Sequence, residues 1–363
     1  VTLSRRYNEH ALPHVFVTDM KEALRSGNGT SISARLHREL ASNLERGEQS
    51  ILFLNRRGAS RMVSCGECGA VPTCPRCSVH LTYHSANGRL MCHYCGHSER
   101  LPDHCPECGG ALNFIGVGTQ KVQEELESLF PGVEVLRMDT DTISASQSHE
   151  ALLSRFEKEK IPILVGTQMV AKGLDFENVT LVGVIAADLA LYVDSFRAAE
   201  RTFSLLTQVV GRAGRGGKTG RAVIQTYTPD NDVIRYAASQ DYDSFFEQEI
   251  DLRKLMEYPP FRDLFVLTAS GLNEASVLRA CQQLRRSLER WIAVWPSPEN
   301  RPRLLGPAPA AVAKVNHRYR YRLTLMCQNT KEVRGLLAQM LRAANSDKEN
   351  RGVSIFADVN PYD

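Results

Sequence analysis

Eight cysteines between Cys65 and Cys108 fall into four Cys-x-x-Cys pairs: Cys65/Cys68, Cys74/Cys77, Cys92/Cys95 and Cys105/Cys108. Two cysteines three apart on a tight turn can aim both thiolates at one metal ion. Two such turns complete a tetrahedral four-thiolate site, so the pattern predicts two Zn²⁺ sites. Gly66, Gly69, Gly96 and Gly109 adjoin the pairs, where the chain must fold back on itself. Between the inner pairs runs LTYHSANGRLMC, two strand-like segments around Asn87-Gly88, the strongest short hairpin signal. This is a zinc-ribbon layout. All-thiolate sites leave no open position to activate water, so the metal is expected to be structural. It would contribute on the order of 10–16 kcal/mol per site to a segment too small to build its own core.

Other cysteine chemistries fit less well. A redox pair is expected once, beside a βαβ unit. Iron–sulfur clusters use other spacings, and disulfides belong to secreted chains, which nothing else here resembles. The order of the pairs allows nested, cross-braced or sequential sites. Nesting, with Cys65, Cys68, Cys105 and Cys108 outside and Cys74, Cys77, Cys92 and Cys95 inside, is favoured because the hairpin brings the inner pairs together. His80, His84, His93, His97 and His104 are spare as ligands and are expected at the surface or in hydrogen bonds.

The elements around this segment alternate. A helix is expected over 31–46, capped by Ser31 or Ser33, with Leu36, Leu40 and Leu44 on one face and Gly47 at its end. SILFLN (50–55) reads as a buried parallel strand. After the cysteines come a helix (119–130), a strand (133–139), a helix (148–158), strands at 161–167 and 180–188, a helix (195–210) and a strand (220–228). Strands alternating with helices imply a parallel sheet covered on both faces. From about Asp241 the order becomes β-α-β-β-α-β, which suggests a ferredoxin-like sandwich. Cys281 and Cys327 fall on its core faces. The predicted division is 1–62 with 111–240 as one α/β domain, 63–110 as a zinc-binding insertion, and 241–363 as an α+β domain.

Composition narrows the class. The chain has 363 residues and a net charge of +3, so total charge argues only weakly for nucleic acid. The longest apolar run, LVGVIAADLALYV, is interrupted by Asp188 and is too short to span a bilayer. With no export signal visible, the reading is cytoplasmic, with no membrane partner. The chain opens VTLSRRYNEHALP, without a Met or a clean element boundary, as expected of a fragment of a longer protein.

Two further stretches carry chemistry. The strand ILVGT leads into GTQMVAKGLDF, with Thr167, Lys172, Gly173 and Asp175, and a helix ending near 210 leads into QVVGRAGRGG, with Gln208, Arg212 and Arg215. In open α/β sheets, ligands gather where loops leave the carboxyl ends of strands, and both stretches are expected at such an edge. Arg212 and Arg215 are three apart and can project from one helical face. Paired guanidinium groups suit a polyphosphate. GRAGRGGKT (211–219) is not a phosphate loop, because Arg212 stands where the first glycine is needed and the Lys-Thr follows a helix.

GTQMVAKGLDF and QVVGRAGRGG resemble motifs V and VI of superfamily 2 helicases, and ILFLNRRG resembles the start of their second RecA-like lobe. An eight-cysteine segment directly after that strand is similar to the bacterial replication-restart helicases, the PriA family. The resemblance implies the C-terminal half of an ATP-dependent 3′-5′ DNA helicase that recognises stalled forks or D-loops and initiates primosome assembly. It implies that Arg215, with Arg212, reaches the γ-phosphate of ATP, an effect of about 10³–10⁵ in rate in other phosphoryl-transfer enzymes. It places Gly173, Asp175 and Gln208 at the nucleotide, and Thr167 and Lys172 toward the DNA backbone. The phosphate loop and the Mg²⁺-binding acidic motif would belong to the N-terminal half, so this part alone is expected to be inactive. Implied partners are forked and single-stranded DNA, single-stranded DNA-binding protein, primosome proteins and that N-terminal half. The alternative is a non-catalytic zinc-ribbon module that binds forks or partner proteins.

KVNHRYRYR (314–322) alternates Arg with Tyr. Arg318, Arg320 and Arg322 are expected on one strand face and Tyr319 and Tyr321 on the other. No acidic residue lies between Arg301 and Arg322. Such a face suits phosphate contacts and base stacking.

Overall fold

The computed structural model describes residues 12–21, 30–54, 61–65, 67–68, 70–77, 79–84, 88–92, 95, 97–115, 118–138, 148–167, 176–192, 195–214 and 218–361. In chain order these form β1 (His14–Asp19), α1 (Ala34–Glu45), β2 (Gln49–Leu54), β3 (Arg61–Cys65), β4 (Thr82–His84), β5 (Arg89–Met91), β6 (Ser98–Arg100) and β7 (Leu112–Ile115). Then follow α2 (Thr119–Leu129), β8 (Val135–Met138), α3 (His149–Lys158), β9 (Ile163–Gly166), β10 (Val179–Ile185), α4 (Ala198–Val210), β11 (Arg221–Thr226), α5 (Asp232–Ser239) and α6 (Tyr242–Met256). The last elements are β12 (Asp263–Gly271), α7 (Glu274–Ala293), β13 (Arg303–Val315), β14 (Arg318–Cys327), α8 (Lys331–Ser346) and β15 (Val353–Val359). The chain divides into two compact units, residues 1–61 with 116–249, and residues 62–115 with 250–363.

The first unit is built on a six-stranded sheet in the order β1-β11-β10-β2-β9-β8, with parallel pairing throughout. Its central strands are buried along their whole length and mostly apolar: every residue of β2, β9 and β10 is buried, with Gln49, Ser50 and Thr180 the polar exceptions. That is the signature of a sheet covered on both faces, and two separate apolar cores flank it. Leu36 and Leu40 of α1 are fully buried in one core with Leu52, Leu54 and Leu181, each contributing roughly 1.5–3 kcal/mol. Gly183 permits that approach, since a Cβ there would strike the side chains of Leu52 and Leu36.

Polar bonds fix both ends of α1. At its start Ser33 Oγ accepts from Leu36 N at 3.2 Å, as an N-cap should. From β11, Gln225 Oε1 accepts from Ser33 N at 2.7 Å while its Nε2 donates to Ser31 O at 2.6 Å. At its end the fully buried Asn43 donates to Gln49 O and Ser50 Oγ, both at 3.1 Å. Its Oδ1 accepts from Arg46 Nη2 at 2.7 Å and from Arg221. Gly47 then reverses the chain at φ +63°, the left-handed position that glycine occupies without strain.

The second unit holds two smaller sheets. The cysteine segment forms one in the order β6-β5-β4-β3-β7. β4 and β5 pair antiparallel across the loop that ends in Gly88, as the Asn87-Gly88 signal predicts, although Asn87 itself lies outside the described residues. The other sheet has the order β13-β14-β12-β15, antiparallel throughout. With α7 and α8 covering one face, this is the ferredoxin-like arrangement expected from element order. Cys281 and Cys327 lie buried in its core. Burial pushes their thiols up, to about 11 and about 12.

Three expectations differ from the structure. The strand expected over 180–188 ends at Ile185, because Ala186 turns left-handed at φ 55°. The strand that YRLTLMC (321–327) suggests begins earlier, at Arg318, after a two-residue turn at Asn316-His317. The first element expected from sequence begins at residue 31, and the structure adds edge strand β1 before it, paired to β11 from His14 to Asp19.

Candidate functional site

The eight cysteine sulfurs gather into two sets, Cys65, Cys68, Cys105 and Cys108, and Cys74, Cys77, Cys92 and Cys95. In each set all sulfurs lie within 4.8 Å of one another. The same local turn builds all four corners. The first cysteine of each pair donates its amide to the carbonyl five residues on: Cys65 to Ala70, Cys74 to Val79, Cys92 to His97 and Cys105 to Gly110, at 2.8–2.9 Å. Such a turn swings the second cysteine beside the first. In the outer set a Cβ at Gly110 would press on the Cys65 sulfur at 3.1 Å, so glycine lets the opposing turn close in.

The donor set fits zinc. The cysteines are unbridged. Sulfur–sulfur separations are 3.4 Å for Cys65–Cys108 and 3.7 Å for both Cys68–Cys105 and Cys74–Cys95. A tetrahedron with zinc–sulfur bonds of about 2.3 Å has edges of about 3.8 Å. The sets differ in access. Cys68 and Cys108 are exposed, whereas Cys74, Cys77 and Cys92 are buried in an apolar cluster with Val63, Leu81 and Leu90. Amides of Cys68 and Glu67 bring the Cys65 thiol down to about 6. Burial pushes the Cys77 thiol up to about 12, against the opposing pull of the Asn316 amide. Metal entering either set must displace thiol protons.

Among the described residues, no histidine joins either set. His97 Nε2 lies 3.0 Å from Glu99 Oε2, His80 Nδ1 lies 3.3 Å from Thr73 Oγ1, and His104 is exposed. The side chains of His84 and His93 lie outside the described residues.

In the first unit, the described candidates are Thr167, Gln208 and Arg212. Thr167 is buried just past the carboxyl end of β9. Lys172, Gly173, Asp175 and Arg215 lie outside the described residues. Gln208 is exposed on α4, donating to Ser204 Oγ at 3.0 Å. Arg212 follows directly on that helix, half-buried. The expectation of a carboxyl-end position does not hold for Arg212. Helix α4 runs back along the sheet for 13 residues, so its tail meets the amino ends of the strands. Gly214 N donates to Val179 O at 3.1 Å, and Lys218 Nζ donates to Asn178 Oδ1 at 3.0 Å. Gly214, at φ +73°, passes so close to Gly220 that any side chain would strike its backbone.

Sequence reasoning missed Asp188. It is buried just beyond β10, where its Oδ2 accepts from Tyr227 N at 2.9 Å and its Oδ1 from Thr228 Oγ1 at 2.5 Å and from Thr226. An acid inside an apolar run was the available signal.

In the C-terminal sheet, Tyr319 and Tyr321 pack on the helix-covered core, with Leu323 and Leu325. Arg318, Arg320 and Arg322 alternate with them and so take the other face. All three are half-buried. Arg318 donates to Ser270 O at 3.0 Å and to Ser270 Oγ at 3.3 Å.

Three family matches fall on these same regions. Residues 113–217 match the helicase conserved C-terminal domain, 74–100 the PriA DNA helicase Cys-rich region domain, and 254–362 the primosomal protein N C-terminal domain. The first unit is thus a RecA-like helicase second lobe, found here with a zinc-ribbon segment and an α+β domain. The replication restart protein PriA of Bacillus subtilis (strain 168) is 42% identical over 363 residues, covering 100% of this chain and 44% of that protein. Its namesake in Synechocystis sp. is 42% identical over 326 residues, covering 88% of this chain and 38% of that protein. The chain belongs to the PriA family. It spans less than half the length of these relatives. A solved structure of S. cerevisiae Dbp5 bound to RNA and ADP BeF3 covers 70% of the chain at 15% identity, with a TM-score of 0.32, too low to carry an argument. Among the described residues, no helix is long and apolar enough to cross a membrane.

Proposed function

We propose that this chain is the C-terminal half of a cytoplasmic, ATP-dependent 3′-5′ DNA helicase that recognises stalled forks or D-loops and begins primosome assembly. The observation that carries the reading is the coincidence of a helicase second lobe, two four-cysteine sets and a C-terminal domain in one chain, each matching its own family in the same order. The domains would be 1–62 with 111–240, 63–110 and 241–363. Arg215 and Arg212 would reach ATP, with Gly173, Asp175 and Gln208 nearby. ATP with Mg²⁺ would be held largely by the N-terminal half, whose phosphate loop and acidic motif complete the site. Thr167, Lys172, Arg318, Arg320 and Arg322 would contact DNA. The eight cysteines would hold two Zn²⁺ ions in a scaffolding role. Single-stranded DNA-binding protein and primosome proteins are the further partners of this reading.

What supports the arginine assignment is motif VI itself, GRAGR directly after a helix, with Gly214 in a tight turn two residues beyond Arg212. The test is full-length protein carrying Arg215→Ala. Its DNA-stimulated ATPase should fall about 10³-fold or more while zinc content and DNA binding remain. Undiminished hydrolysis would remove Arg215 from the nucleotide site.

A further inference from the structure

Sulfurs of both cysteine sets accept amides from their own turns, and the inner set also accepts one from far along the chain. In the outer set, Cys65 Sγ accepts amides from its own turn, Glu67 N at 3.4 Å and Cys68 N at 3.5 Å. In the inner set, Cys77 Sγ accepts the amide of Asn316 at 3.0 Å, a residue 239 positions away. The next amide, His317 N, donates to Arg76 O in the same turn at 2.6 Å. Val315 packs on the apolar cluster around the inner sulfurs.

The backbone explains why these amides are on offer. Asn316 and His317 form the two-residue turn between β13 and β14, with φ of 47° and 64°. Both are left-handed, as a hairpin loop of this length demands. In such a turn the flanking residues, here the pair Val315 and Arg318, close the ladder. The two central N–H groups have no partner within it. Placed against the Cys77 sulfur, the Asn316 amide becomes a charge-assisted donor when that sulfur is a thiolate, while the His317 amide holds the same turn through the Arg76 carbonyl. A four-thiolate zinc site would carry net negative charge that such a donor stabilises.

We propose that Asn316 and His317 are positioning residues of the inner metal site, and that metal occupancy there and the placement of the basic strand β14 depend on each other. Loss of metal frees the Cys74–Cys77 turn to move, and the Asn316 and His317 amides then lose acceptors held at a fixed place. Arg318 is two residues from Asn316, so its strand loses its anchor at the start. Linkage requires the reverse as well: displacing the turn weakens metal binding at the inner set. The outer set has no such contact among the described residues and should be indifferent.

The test needs neither ATP nor DNA, so its outcome is separate from that of the helicase reading. In protein loaded with ¹¹³Cd, two resonances are expected, one per set. Inserting two glycines between Asn316 and His317 displaces the amides without removing a side chain. One resonance should move while the other stays, and metal release to a chromophoric chelator should become about 10- to 100-fold easier at one site only. The double variant Asn316→Gly, His317→Gly keeps both amides and the turn, and should match the native protein. If the insertion unfolds the hairpin, amide exchange decides instead. Exchange across 314–322 should rise in Cys92→Ser and not in Cys108→Ser. Equal change at both metal sites, or equal exchange in the two cysteine variants, would overturn the proposal.

Discussion

Asp188 accepts the amide of Tyr227 at 2.9 Å, tying the end of β10 to the end of β11. Hydroxyls of Thr226 and Thr228 complete the same carboxylate. The left-handed Ala186 is what turns the chain so that Asp188 can reach back. Asp188→Ala would leave the buried Thr226 hydroxyl and the Tyr227 amide without their acceptor. The expected loss is about 2–4 kcal/mol, read from chemical denaturation. Asp188→Asn keeps one acceptor and should fall between the two. A silent Asp188→Ala would mean that water replaces the carboxylate without cost.

Glu48 should make the first unit acid-sensitive. Desolvation alone would raise its carboxyl, but donation from Thr180 and Arg46, with Arg46 and Lys218 as neighbouring charges, holds it below its ordinary 4.5. Thr180 Oγ1 lies at 2.7 Å and Arg46 Nε at 2.9 Å. Because the folded state titrates lower than the unfolded one, the contribution is present above about pH 4.5 and lost as pH falls through the folded value. Glu48→Gln should therefore cost about 1–2 kcal/mol at neutral pH, and the cost should shrink as pH falls through the folded value. Denaturation across that range measures the gap. A constant gap would assign the effect to something other than charge.

Metal content should be separable by set. Native protein is expected to carry two zinc ions. Cys77→Ser and Cys108→Ser should each carry one, and the double variant none. Chelator should take the outer ion first, because Cys68 and Cys108 are exposed while the inner sulfurs are buried among Val63, Leu81 and Leu90. Mass spectrometry of the intact protein during chelation follows both steps. A single cooperative loss of both ions would contradict independent sites.

The arginine face of β14 should appear in salt dependence. Arg320→Ala with Arg322→Ala should lower the slope of log affinity against log salt for single-stranded DNA by about 1.4, roughly 0.7 per lost phosphate contact. The Tyr rings lie on the core side, so Tyr319→Phe should leave the slope unchanged. A slope unaffected by loss of both arginines would place the DNA elsewhere.

Local chemistry was legible wherever a few adjacent residues decide it. The cysteine pairs, the Ser33 cap and the Gly47 stop depend on neighbours in sequence, and the structure builds each as those residues imply. What escaped was set at long range. β1 is a six-residue stretch whose strand identity comes from its register with β11. Helix α5 was also passed over, although Asn231 caps it by accepting from Val233 and Ile234. The turn at 316–317 fell between two strands read at 303–315 and 321–327, and its exact place was not legible, because Asn-His is a weaker turn signal than Asn-Gly. The misplaced edge for Arg212 has a different cause. A 13-residue helix between parallel strands must run antiparallel to them, and that constraint was available without any contact.

Met62 pairs with Ile115 in the ladder between β3 and β7. The two feet of the cysteine segment are thus stitched side by side, so the chain leaves and rejoins at a single doorway. A chimera that swaps 62–115 for the matching segment of a distant relative should accordingly inherit the donor's surface while retaining its own parallel sheet.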